Sequence, residues 1–304
     1  MAKRFYSNGK LLITGEYLVL DGAKALAIPT KMGQDLTITE NSQTNVINWQ
    51  SFDADQSVWF EDKLYIEDII SNNIQKDSPE VREVLKKILF EAHQLNPEIL
   101  FNKGFDIKTH LTFPRNWGLG TSSTLINNIA QWFEINAFEL LKKSFGGSGY
   151  DIANAQNNKP ITYRLENNKP IVEEVNFKPD FFQNIYFLYL NKKQNSKTAI
   201  ANYYSKRNEI DRVKSQINSI TAQIVQGVNQ SQFEDLLQQH EALLSEILET
   251  KTVKQLYFPD FNGTLKSLGA WGGDFVLVVS NTDPEPYFKE KGFTTLIPFH
   301  EMIL

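Results

Sequence analysis

The sequence contains no cysteine. Disulfides, thiolate zinc sites and a cysteine nucleophile are therefore all excluded, and the usual marker of redox compartment is missing. Histidine is scarce and scattered, at His93, His110, His240 and His300. His240-Glu241 opens an HExxH pattern, but Leu244 stands at the second histidine position, so a helical zinc site is not expected. No apolar run approaches the roughly 18–20 residues that span a bilayer. The N-terminal stretch LLITGEYLVL is interrupted by Gly15 and Glu16, unlike a secretory leader. A cytoplasmic protein without a membrane partner is expected. Charge of one sign is lacking too: 31 basic against 36 acidic side chains leave a net charge of −5, which argues against a general nucleic-acid binder. With 41% hydrophobic and 22% charged residues the composition is globular, and 304 residues suit one large or two ordinary domains.

The first ~70 residues read mostly as strand, with β-branched and aromatic content in LLITGEYLVL, QDLTITE and SVWFEDKLYIE. Ser78-Pro79-Glu80 predicts a helix start, with Ser78 as cap and proline at the first helical position. Val81, Val84, Leu85, Ile88, Leu89, Ala92 and Leu95 follow at helical spacing as one apolar stripe. GFDIKTHLTF alternates as a strand and runs into PRNWGLGTSS, after which a helix is expected from about Ser122. Strands are expected at ITYRLE, NIYFLYL and FVLVVS, and residues 197–257 read as nearly continuous helix. Ile210, Val213, Ile217, Ile220 and Ile224 give that region a one-sided stripe, suited to covering a sheet or to meeting a partner. The pattern predicts an α+β protein in two lobes, residues 1–180 and 181–304, with the boundary near 175–185 at NFKPD.

The common nucleotide motifs fail. There is no GxxxxGK[ST], and Gly118-Leu119-Gly120 does not complete GxGxxG because Ser123 holds the sixth position. What remains is a set of glycine clusters. In Pro114-x-x-x-Gly118-Leu119-Gly120-Thr121-Ser122-Ser123 a strand leads through glycines to a helix. Glycine allows close backbone approach, and a helix N-terminus offers free N–H groups and a positive dipole end. The combination suits phosphate, and the hydroxyls of Thr121, Ser122 and Ser123 could add hydrogen bonds or a Mg²⁺ ligand. The same letters would also serve as an ordinary capped turn.

Read in order, Gly9-Lys10 through Asp21-Gly22, PRNWGLGTSS, GGSGYD at 146–151, and Lys266-Ser267-Leu268-Gly269-Ala270-Trp271-Gly272-Gly273 resemble the three signature regions of the GHMP kinases. The resemblance implies an N-terminal lobe like ribosomal protein S5 domain 2, a ferredoxin-like C-terminal lobe, and ATP and Mg²⁺ as cofactors. GEYLVLDG and GSGYDIANA look closest to phosphomevalonate kinases. The resemblance further implies a phosphate loop of Pro114, Gly118, Leu119, Gly120, Thr121, Ser122 and Ser123, with Ser122 touching Mg²⁺. It matches Asp151 to the aspartate that faces the acceptor oxygen and Lys10 to the lysine beside it. Glu139, with Glu134 second, is the candidate Mg²⁺ carboxylate. Glu16, Tyr17, Ser148, Gly149, Gly269, Ala270 and Gly272 fall on the acceptor side. The chain departs from the family at Thr121-Ser122-Ser123-Thr124, where Ser-Ser-Ala-Ala is usual, and at Trp271, where glycine is usual. The stretch from Ser122 to Asp151 is also short.

Phosphoryl transfer asks for alignment and charge neutralisation. An alcohol acceptor gains from a base such as Asp151, whereas a phosphate monoester with a pKa near 6 is already a nucleophile and should meet extra cations. Arg115, Arg164, Lys192, Lys193 and Lys197 are candidates for those. The expected activity is ATP-dependent phosphorylation of a small molecule, phosphomevalonate first, by a monomer or homodimer. Mevalonate kinase, a diphosphomevalonate decarboxylase-like enzyme and a non-catalytic nucleotide- or partner-binding member remain alternatives.

Overall fold

The structure, a computed structural model, describes residues 2–72, 79–193, 196–206 and 210–304, with the side chains at 196, 197 and 206 outside that description. The chain divides into two compact units: Met1–Gly9, Met32–Arg115 and Leu119–Gln156 form the first, and Lys10–Lys31, Asn116–Gly118 and Asn157–Leu304 the second. The boundary expected at 180/181 falls inside the second unit, because the N-terminal strands contribute to both.

Strands β1 (Lys3–Thr14) and β2 (Ala25–Asn41) each run through both units. In the first unit the later part of β2 pairs antiparallel with β5 (Gly104–Leu111). β3 (Val46–Phe52) pairs parallel with β5 and antiparallel with β4 (Val58–Tyr65). One face of this sheet is apolar, as the period-2 pattern requires: Leu36, Ile38, Ile47, Trp49, Phe105 and Ile107 are buried in one core. α1 (Ile66–Ile70), α2 (Glu80–Leu95), α3 (Thr121–Phe133), α4 (Ala137–Ser144) and α5 (Tyr150–Ala155) complete the unit. In the α2 stripe Leu85, Ile88, Leu89 and Ala92 are buried, while Val81 is exposed. Ser78 lies outside the described residues; Pro79 occupies the N-cap and Glu80 is the first helical residue, one position later than expected.

The second unit pairs the first part of β2 with β6 (Ile161–Glu166), and β6 with β7 (Lys169–Glu174). Its other sheet is antiparallel in the order β11-β8-β10-β9, with β8 at Ile185–Tyr189, β9 at Thr264–Ser267, β10 at Phe275–Val279 and β11 at Leu296–Pro298. Every residue of β10 is buried, which suits its near-continuous apolar run at the centre of the sheet. The helical region resolves into α6 (Ser196–Lys206), α7 (Ile210–Gln226), α8 (Gln230–Leu248) and α9 (Val253–Tyr257). Capping boxes at Asn229 and Thr252 set the starts of α8 and α9. The α7 stripe of Val213, Ile217, Ile220 and Ile224 is buried within the unit, so it serves packing. α10 (Glu285–Glu290) and α11 (Phe299–Met302) end the chain. No helix of the described residues is long and apolar enough to cross a membrane.

Candidate functional site

The expected strand LLITGEYLVL stops at Thr14. The chain turns at Gly15-Glu16-Tyr17 and continues as a 3₁₀ helix, Leu18–Asp21. Glu16 is 1% exposed, and its Oε1 accepts a 2.5 Å hydrogen bond from Lys266 Nζ, itself 0% exposed. Tyr17 is also buried; its hydroxyl accepts from the Trp271 N–H at 3.1 Å, and its ring stacks on Tyr203 at 5.5 Å. Glu16 and Tyr17, expected on the acceptor side, are thus used inside the second unit to fasten the first glycine motif to the third. The reason is chemical: a carboxylate without water needs a cation, and Lys266 supplies it.

The phosphate-loop candidates form a continuous turn. Pro114 is exposed after β5, Arg115–Trp117 make a short 3₁₀ helix, and Gly118 and Gly120 follow with φ of 69° and 101° around a buried Leu119. At Gly118 the requirement for glycine is steric, since a Cβ there would come within 2.5–2.8 Å of the Asp274 carboxylate. Gly120 is the left-handed N-cap of α3 and offers no side chain to the first amides. The first helical hydrogen bond runs from Thr124 N–H to the Gly120 carbonyl. A 13-residue helix with an uncapped N-terminus fits an anion. Ser122 is exposed there. Ser123 is buried, and its hydroxyl donates back to the Gly120 carbonyl at 3.0 Å, so it is spent on the turn rather than on a ligand.

In the second unit Lys10 Nζ donates to the Gly118 carbonyl at 3.2 Å. Lys10, Trp117, Gly118, Gly269 and Asp274 line a cavity of about 10 Å³, room for about one water. Tyr189 supports this stretch by donating to the Asn116 carbonyl at 3.1 Å, while Trp117 packs edge-on against Phe275. Asp274 has a φ of 54°, and its backbone pairs with Leu190 and Lys192. No motif role was assigned to Asp274 or Tyr189; the position of Asp274 directly after Gly272-Gly273 was the available signal for the former.

Asp151 lies in the first unit. Gly149, not Asp151, is the N-cap of α5; Asp151 is the second helical residue, half-buried, and its Oδ1 accepts from Ile152 N–H at 3.1 Å. Ser148 is half-buried and Gly149 buried. Gly269 and Gly272 have positive φ, whereas Ala270 is buried. Lys192 and Lys193 are exposed, Arg164 pairs with Glu166 at 3.6 Å, and Arg115 pairs with Asp53 at 3.7 Å. The side chain of Lys197 lies outside the described residues.

The metal candidates come from the two ends of α3 and from the start of α4. Ser122 is in the first turn of α3, whereas Glu134 caps its other end, about 18 Å away along the axis. Glu139 follows in the first turn of α4, exposed, with its N–H on Asn136. Among the described residues no group of three or more histidines and carboxylates could hold a metal ion. The exposed first turn of α3 thus fits a phosphate group.

No family model matches the chain, and no curated protein matches it in sequence. Solved structures do match. The Methanococcus jannaschii mevalonate kinase superposes with a TM-score of 0.70 at 17% identity, over 96% of this chain and 95% of that one. The Lactococcus lactis galactokinase, complexed with galactose, gives 0.69 at 14% identity over 95% and 88%. The Streptococcus pneumoniae phosphomevalonate kinase, in complex with phosphomevalonate and AMPPNP, gives 0.67 at 16% identity over 96% and 95%. The fold of this chain is therefore the α+β fold of the GHMP kinases.

Proposed function

We propose that this chain is a cytoplasmic ATP-dependent kinase of a small molecule, with phosphomevalonate as the favoured acceptor. The observation that carries the reading is the glycine-framed, uncapped N-terminus of α3, in a fold shared with such kinases. The amides of Thr121–Ser123 would hold ATP phosphates. Lys10, already fastened to the Gly118 carbonyl, would neutralise charge on the transferred group. ATP, when bound, supplies the phosphoryl group. Asp151 orients the acceptor oxygen and takes its proton when that oxygen is an alcohol. Ser122 would touch a metal ion that arrives with the nucleotide, since Mg²⁺ commonly keeps water and phosphate ligands. Lys192 and Lys193, both exposed, are the cations assigned to a phosphate-bearing acceptor. The division into lobes at 180/181 belongs to this reading as a functional boundary.

The test is ADP release with Mg-ATP and parallel mevalonate, phosphomevalonate, diphosphomevalonate, galactose and homoserine. Turnover with phosphomevalonate is the expected result; Asp151→Asn, with the circular dichroism unchanged, should cost an alcohol acceptor about 10²–10⁴-fold and phosphomevalonate, which needs no base, markedly less. Turnover with mevalonate alone would move the acceptor and leave the chemistry. The departures from the family pattern at Ser123-Thr124 and Trp271 favour a second reading, a nucleotide-binding member without turnover. ATP binding with a silent panel would select it.

A further inference from the structure

Four ionisable side chains of the second unit are buried together, and the chemistry proposed above uses none of them. Glu16, Lys266, His240 and Glu241 are exposed by 1%, 0%, 0% and 3%. They come from the turn after β1, from β9 and from α8. Lys266 Nζ donates to Glu16 Oε1 and to the Ser267 carbonyl. His240 Nε2 accepts from the Gly15 N–H at 2.9 Å and lies 3.3 Å from Glu16 Oε2. Glu241 accepts from the Ser267 N–H at 3.1 Å and from its hydroxyl at 3.3 Å.

Two carboxylates face one ammonium and one imidazole. With both carboxylates ionised and the imidazole neutral, the buried cluster carries one net negative charge; one proton on the carboxylate pair makes it neutral. A net charge without water is costly, so the protonated arrangement is favoured. The geometry agrees. The lone pair of His240 Nε2 is taken by the Gly15 N–H, so the imidazole does not donate to Glu16 Oε2 through that nitrogen.

The cluster surrounds a strained turn. Tyr17 has φ 61° and ψ −52°, and Leu18 N–H donates to the Glu16 carbonyl at 2.7 Å, closing a three-residue γ-turn of the rare positive-φ kind. Such strain persists only where the surroundings over-determine it. Here His240 holds Gly15, Lys266 holds Glu16, and Trp271 holds Tyr17.

We propose that the cluster is a proton-dependent clamp: one proton shared by Glu16 and Glu241 keeps the strained Tyr17 turn docked on the loop that carries Trp271, and losing that proton to solvent releases it. Burial raises the carboxyl of Glu16 to about 7 and that of Glu241 to about 8, against the opposing pull of Lys266. Burial also keeps His240 neutral. The charged groups acting on the carboxylates are Lys266 on both and Glu16 on Glu241; α7 faces the same segment with the neutral Thr221 and Asn218, and Asp21 is engaged by the Tyr203 hydroxyl. Release therefore belongs to the interval around pH 7–8, between the two raised carboxyls, where the pair goes from holding a proton to holding none. Its catalytic consequence rests on the kinase reading; the clamp itself does not.

The experiment is ¹⁹F NMR of the full chain labelled with 5-fluorotryptophan, titrated from about pH 6 to 9 so as to bracket the pair, with the Trp271 signal assigned through Trp271→Phe. The wild-type Trp271 signal should titrate across that interval, and in Glu241→Gln, whose amide cannot ionise, it should stay at the low-pH position. A flat wild-type signal, or a Glu241→Gln protein that titrates like wild type, overturns the clamp. Should Glu241→Gln not fold, Ser267→Ala tests the same point. Losing the hydroxyl that stabilises the Glu241 carboxylate should move the midpoint up, and an unmoved midpoint overturns the proposal. In an active protein, kcat should fall with the same midpoint in wild type and not in Glu241→Gln. A titrating Trp271 in a protein without turnover sinks the kinase reading and leaves the clamp, whereas turnover with a flat Trp271 does the reverse.

Discussion

Lys266 carries its charge with none of its side chain exposed, and Glu16 and Glu241 depend on it. Replacing it by methionine keeps the volume and removes the cation. The buried carboxylates then lose their partner, so Lys266→Met should lower stability by about 3–5 kcal/mol in urea unfolding. Surface pairs such as Lys103–Glu40 differ in kind. Water screens them, so Lys103→Met should leave the urea midpoint almost unmoved in the same assay. Gly118 offers a second residue-scale test. Alanine there meets both a positive φ and the Asp274 carboxylate, so Gly118→Ala should cost about 1–2 kcal/mol from the backbone conformation alone. Thermal unfolding would read the loss. Gly118→Ala combined with Asp274→Ala should recover part of it, because the steric share of the penalty goes with the carboxylate.

At the scale of elements, α8 carries both His240 and Glu241 and starts at a reciprocal capping box between Asn229 and Gln232. Asn229→Ala leaves the first amides of this 19-residue helix without that acceptor, and should cost about 1 kcal/mol by denaturant midpoint. The loss should leave the Trp271 titration in place, since the cap lies at the helix start and the cluster about three turns further on. Much of this level was legible beforehand. The β10 run, the helical spacing of α2 and the glycine turn into α3 are local patterns that any packing must honour. The misreadings were local as well. LLITGEYLVL has strand composition, yet Gly15 and the Tyr17 γ-turn end the strand at Thr14, because long-range contacts from His240 and Trp271 override propensity there.

For the whole molecule, the buried cluster makes folding stability depend on pH. Glu16 and Glu241 have raised values in the folded chain, so the folded state binds more protons than the unfolded one above the ordinary carboxyl range. Their contribution is complete below about 4.5 and is lost as pH rises through about 7 to 8. His240 acts in the opposite sense: held neutral by burial, it contributes stability above 6.5 that is lost as pH falls below it. The decline with rising pH should thus be steepest between about 6.5 and 8. Urea midpoints across that range check it, and in a Glu16→Gln, Glu241→Gln double variant the slope should largely vanish.

The sequence by itself determined the elements, the α+β class and the glycine-framed helix start of a phosphate site, because these follow from periodicity and from what glycine and a helix terminus do locally. Its ordered glycine motifs pointed to the kinase fold that the solved structures share. Only the tertiary structure decided where the charges go. Glu16 and Lys266 are 250 positions apart, and each belongs to a glycine-bearing motif as an active-site residue would. Their mutual burial appears only when Lys266 of β9 meets Glu16 of the turn after β1. The same holds for Ser122 and the acidic residues that follow it. Spacing in the chain left Glu134 and Glu139 open as metal ligands, whereas a rigid helix carries the chain about 18 Å from Ser122 by the time Glu134 is reached. Local chemistry is written in neighbouring letters, but whether a carboxylate meets solvent, a metal or a lysine is set by packing between distant segments, which no short window of sequence contains.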